Sequence, residues 1–138
     1  MTTQKLLTVT IAILSIFVSG CTKDRPANSD VERLYGIWNW VQSSGGFAGV
    51  TTTPATAGYT KTLEFNNDGS YKWFKNGTLQ GETKFTLTEG SSIFTSGTAH
   101  LIKYHNDFIT QSVTFGEQDT LFLSDECYDC FGHTYTRQ

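Results

Sequence analysis

The chain has 138 residues, of which 38% are hydrophobic and 14% aromatic, enough for one modest core. Its 10 Lys and Arg against 13 Asp and Glu give a formal charge of -3, and the basic residues are scattered rather than clustered. That balance excludes a nucleic-acid binder, which carries a basic face, so no nucleic-acid partner is expected.

Residues 1–20 read as a targeting segment. Lys5 supplies a charged start, and the apolar run over 6–18 is broken only by Thr8, Thr10 and Ser15. It is shorter than the roughly 18 apolar residues that span a bilayer, so it is a cleaved signal peptide rather than a membrane helix. The segment ends in Val18-Ser19-Gly20-Cys21, which resembles the bacterial lipobox. The resemblance implies cleavage before Cys21 and acylation of that cysteine, palmitate being the expected type of chain. Several chains hold a protein permanently where one holds it only reversibly. The lipid bilayer is then a partner, and the expected address is the cell envelope, anchored in the outer membrane on its periplasmic or its cell-surface face. Residues 21–33 read as the lipidated cysteine and a flexible tether, polar and interrupted by Pro26.

The domain is expected over 34–138. Its first strand, 34–42, places Trp38, Trp40 and Gln42 on one face, with Trp40 one layer above Trp38 and Gln42 nearer an open mouth. The connection over 43–58 is longer than most loops in compact domains, and loops of that length are usually functional. Residues 59–65 alternate as a half-buried strand, with Tyr59, Leu63 and Phe65 on the inner face. A turn at 66–69 leads to a strand over 70–75, and Asn76-Gly77 is a second hairpin signal. The fourth strand carries Leu79, Thr83, Phe85 and Leu87 on one face. One kinked strand over 92–104, then 108–114, 120–124 and 133–137, bring the count to eight, with a turn-rich loop over 125–132. No helical period follows the leader.

Eight short antiparallel strands form a sandwich or a closed barrel, and closure removes the exposed edges. Gly36-x-Trp38, Ser44-Gly45-Gly46, Asp68-Gly69, Leu121-x-Leu123-x-Asp125 and Tyr135-x-Arg137 together resemble the lipocalin-like, calycin-type domains of bacterial lipoproteins of uncharacterised function. The resemblance implies an all-β, eight-stranded, up-and-down barrel. It also implies a structural plug of Gly36, Trp38 and Arg137, in which the opening tryptophan packs at the closed end under an arginine of the last strand. Strand geometry agrees, because in a closed antiparallel barrel the last strand lies beside the first and runs against it. Burying an indole is worth roughly 5 kcal/mol against about 1 or 2 for a cation-π contact, so Trp38 is foremost a core residue.

Cys127-x-x-Cys130-x-x-His133 admits a local disulfide, a redox pair or part of a metal site. The motif sits between strands, without a helix to depress a thiol pKa and without a fourth ligand at a compelling spacing. The disulfide reading is favoured and no metal is expected. His100, His105 and His133 lack a serine or cysteine at motif spacing, so no catalytic residue, cofactor or enzymatic activity is assigned. The ligand-binding candidates are Trp40, Gln42, Phe47, Tyr59, Phe65, Tyr71, Trp73 and Phe85. The resulting reading is a membrane-anchored barrel that binds a small, partly apolar ligand, with the 43–58 loop as a lid. The alternative is a barrel that engages a protein partner, such as an enzyme it inhibits, through the same loop with Phe47 as its apolar tip.

Overall fold

Alternation with period two predicts sheet for most of the domain, and the computed structural model, which describes residues 29–107 and 109–138, is built almost wholly from strands. In chain order the elements are α1 (Ser29–Leu34), β1 (Gly36–Gly45), β2 (Val50–Thr52), α2 (Pro54–Ala57), β3 (Lys61–Phe65), β4 (Ser70–Lys75), β5 (Thr78–Ser91), β6 (Thr98–Tyr104), β7 (Thr110–Phe115), β8 (Thr120–Asp125) and β9 (Phe131–Arg137). From β3 to β9 each strand pairs antiparallel with the next, and β1 lies between β3 and β9. The eight strands close into the expected up-and-down barrel. The ninth, β2, pairs only with β1, along Ser43 to Gly45, which β9 flanks on the other side. The leader and Cys21 lie outside the described residues.

The core follows the inward phase of each strand. Trp38 and Trp40 from β1, Leu63 and Phe65 from β3, Phe85 from β5, Ile102 from β6, Val113 from β7, Leu121 and Leu123 from β8 and Tyr135 from β9 are all buried in one cluster. The opposite phase is charged: Glu64, Lys72 and Glu82 stand side by side across β3, β4 and β5. Such a row of alternating charge is ordinary solvated sheet.

The plug is present and larger than expected. Trp38 is fully buried, with the Arg137 guanidinium 4.3 Å above its ring. Arg137 also donates to the carbonyls of Tyr35 at 2.9 Å and Arg33 at 2.6 Å. Gly36 makes room for it, since a Cβ there would come within 2.6 Å of Arg137 Nη1. A second arginine joins from below, Arg33 lying 4.5 Å over the ring of Phe115, which in turn packs against Trp38.

Several boundaries differ from the sequence reading. Ser29–Leu34 is helical, so the tether does not run to Arg33 and Leu34 is not the first strand residue. Leu34 is fully buried and its carbonyl accepts from Trp38 Nε1 at 2.8 Å, which draws the short helix against the barrel floor. Within 43–58 the chain is not a plain loop: β2 occupies part of it, and α2 is a single turn with Thr53 and Thr56 in a reciprocal capping box and Pro54 in its first turn. Residues 92–97 are not strand. Serine and glycine there leave no alternation to pack, and the segment is held by Ser92 Oγ and Ile93 N donating to the Glu126 carboxylate at 2.7 and 2.8 Å.

Two bulges change which side chains point inward. Against β9, Trp40 faces Tyr135 and Gln42 faces Thr134, so Val41 is an extra residue and the phase flips after it. Gln42 is therefore exposed, and Ser43 takes the inward course instead. In β5 the register slips so that Trp73 faces Gly81 and Phe74 faces Leu79. Leu79 leaves the inward face and is 48% exposed.

Candidate functional site

At the end of the barrel opposite the plug the interior opens into a cavity of about 550 Å³. Its deeper wall comes from Lys61, Tyr71, Trp73, Tyr104, Gln111, Asp125 and His133, and its rim includes Glu82, Asn106, Asp107 and Ile109. Glycine at position 81 makes part of that space, because a Cβ there would sit 2.6 Å from Trp73 Nε1. The wall is aromatic on one side, where the rings of Tyr71 and Tyr104 lie 4.7 Å apart. Burial pushes both phenols above the ordinary tyrosine range, so they remain neutral donors at any physiological pH.

A hydrogen-bonded chain runs along the other side. Tyr104 Oη donates to Gln111 Oε1 at 2.8 Å, and Gln111 Nε2 donates to Asp125 Oδ1 at 2.8 Å. His133 Nε2 lies 3.6 Å from the same carboxylate oxygen, and His133 Nδ1 is 2.6 Å from Ser43 Oγ. Ser43 Oγ accepts from Trp40 Nε1 at 2.9 Å. An indole N–H can only donate, so Ser43 Oγ accepts from Trp40 and keeps its proton and a second lone pair to share with His133 Nδ1. Serine, histidine and aspartate thus meet from β1, β9 and β8, a grouping that linear spacing does not show. Ser43 is not among the residues lining the cavity, and its hydroxyl is already shared between Trp40 and His133. The chain orients the imidazole and holds Asp125 ionised.

Burial alone would raise the Asp125 carboxyl, but hydrogen bonds from His133 and Gln111 outweigh it and hold the group below its ordinary value. A folded-state pKa below the unfolded one, about 3.9, contributes stability above roughly pH 4 that is lost as the pH falls through the folded value. Asp125→Asn is expected to flatten the acid limb of a melting-temperature profile below roughly pH 4 while leaving its neutral region parallel to wild type. An unaltered acid limb would show that Asp125 is not the coupled group.

Of the eight sequence candidates, Tyr71 and Trp73 line the cavity. Phe65 and Phe85 are buried in the core, their rings 5.2 Å apart and edge to face. Trp40 is buried and stacks on Tyr59 at 5.6 Å, so both serve the wall rather than the cavity. Gln42 is turned out by the bulge. Phe47 sits at the tip of the β1–β2 hairpin, 96% exposed, and no residue of 43–58 lines the cavity, so that segment does not form its lid. Lys61, Tyr104, Gln111, Asp125 and His133 were missed. Each is in phase with buried neighbours: Lys61 with Leu63 and Phe65, Tyr104 with Ile102, Gln111 with Val113, Asp125 with Leu121 and Leu123, His133 with Tyr135.

Cys127 and Cys130 form a disulfide in the β8–β9 loop, the first of the three arrangements that the motif admits. Among the described residues no group of three histidine, cysteine or acidic side chains is placed to hold a metal ion. No helix of the described residues is long and apolar enough to cross a membrane. No family model, curated protein or solved structure matches the chain.

Proposed function

We propose that this protein is a lipid-anchored, lipocalin-like binding module that holds a small, partly apolar ligand in the mouth of its barrel. The observation that carries the reading is the cavity of about 550 Å³. That volume is in the range of small-molecule sites, and its lining joins aromatic walls to a few oriented polar groups, as such sites do. The leader ending in Val18-Ser19-Gly20-Cys21 supports the anchor, and the Cys127–Cys130 disulfide suits an oxidising envelope compartment. α1 lies beneath the plug, at the closed end of the barrel.

The full chain expressed with its leader in a bacterial host tests both halves. Wild type is expected to incorporate labelled palmitate and Cys21→Ser to lose it; label retained by the variant would remove Cys21 as the acylation site. Native mass spectrometry and organic extraction of the purified protein are expected to return a bound small molecule. A protein that is always empty would favour the second reading, a protein-interaction barrel. The observation on its side is Phe47, fully presented on a hairpin tip.

A further inference from the structure

The charges in the cavity indicate what the polar end of its ligand is, an inference that rests on the cavity being a binding site. Two charged side chains line its deeper part, Lys61 and Asp125, and they are not equivalent. Asp125 already receives Gln111 and faces His133. Lys61 has no hydrogen-bond or ion-pair partner among the described residues. Its ammonium lies 6.0 Å from the centre of the Trp73 ring, the outer limit of a useful cation-π contact. Burial pushes its pKa below the ordinary lysine range, and the more distant charge of Asp125 offsets this only in part.

The neighbouring strand adds to the imbalance. Lys75 stands directly opposite Lys61 in the β3–β4 pairing, hence on the same face of the sheet. Like charges so placed are destabilising unless something of opposite sign lies near them. Lys75 leans over the Tyr59 ring at 4.4 Å, which leaves Lys61 as the cation facing the cavity. The acids at the rim, Glu82 and Asp107, are exposed and screened by salt, whereas a charge inside the barrel is screened much less.

We infer that the cavity takes an amphipathic anion, with a carboxylate or comparable acidic head on Lys61 and a flat apolar body against Tyr71, Trp73 and Tyr104. The head group would supply the partner that Lys61 lacks, in surroundings where an ion pair is strong once both members are already poor in water.

Two dyes with the same ring system test this: anilinonaphthalene sulfonate and its uncharged parent, N-phenylnaphthylamine. Fluorescence titrations use the unacylated mature chain, residues 21–138 with Cys21→Ser. The sulfonate is expected to bind at least about tenfold more tightly than the parent. Lys61→Met is expected to erase that preference by weakening the sulfonate alone, and Lys61→Arg to restore it. Lys72→Met, which alters an outward lysine set between Glu64 and Glu82, is expected to keep it. Equal or tighter binding of the parent dye to wild type overturns the inference, as does a preference that survives Lys61→Met or disappears with Lys72→Met. Failure of both dyes to bind overturns the cavity reading itself, and this inference with it.

Discussion

Trp38→Ala is expected to cost the domain about 4 kcal/mol and to lower its melting temperature by roughly 20 °C, the largest loss of any single side chain. The indole is fully buried, touches Phe115 and donates to the Leu34 carbonyl, so truncation leaves a cavity and an unsatisfied acceptor together. Against a typical total stability of about 5 to 15 kcal/mol, that brings the barrel close to unfolding at growth temperature. Arg137→Ala removes two hydrogen bonds to carbonyls and the cation above the ring, but its side chain is 29% exposed and water replaces part of what is lost. A loss of about 2 kcal/mol is expected there. Thermal melts of the two variants order the effects; a Trp38→Ala melt that matches wild type would remove the plug from the list of what holds the barrel.

Gly45→Ala is expected to be nearly as damaging, at about 3 kcal/mol, although the residue sits at the rim. Its φ of +152° is one that side-chain-bearing residues rarely adopt, and a Cβ would run into the Cys130 carbonyl oxygen and the Phe131 backbone. Those are main-chain atoms held in place, since Cys130 is tied to Cys127 and its carbonyl accepts from Gly46 N at 3.1 Å. The strand end cannot yield without opening the β1–β9 pairing. Gly132→Ala, on the same seam, makes a useful control because its nearest neighbour to a new Cβ is 3.8 Å away. Urea denaturation should show a large shift for the first and a change within about 0.5 kcal/mol for the second. Equal midpoints would mean that the rim relaxes freely around position 45.

The barrel and its plug were legible because both rest on strong local signals. Period-two alternation, two hairpin turns and an arginine in phase with the last buried tyrosine leave few other arrangements. The bulge at Val41 was not legible: one extra residue inside a continuous run looks the same on paper as an unbroken strand, yet it reverses Gln42 and Ser43. The two helices, six residues and four, are too short to show a period. The polar members of the site were visible in phase and misread in kind. Lys61, Asp125 and His133 alternate with buried aliphatic or aromatic residues, but polar residues in a strand are read by default as its wet face. The rule that an inward polar residue marks a cavity needs the phase to be taken more seriously than the hydropathy.

The joint between β1 and β9 also bears on how the chain reaches its native state. Trp38 lies opposite Arg137, whereas β3, β4 and β5 are linked by tight hairpins. Pairings between neighbours in sequence form early, and one that spans roughly a hundred residues waits for the loop entropy to be overcome, so ring closure is the slow step. Until it happens, the inner halves of β1 and β9 are open sheet edges flanked by apolar side chains, a template for joining one molecule to another. The same contacts that make the finished barrel edgeless therefore set the length of time during which a newly made copy exposes those edges.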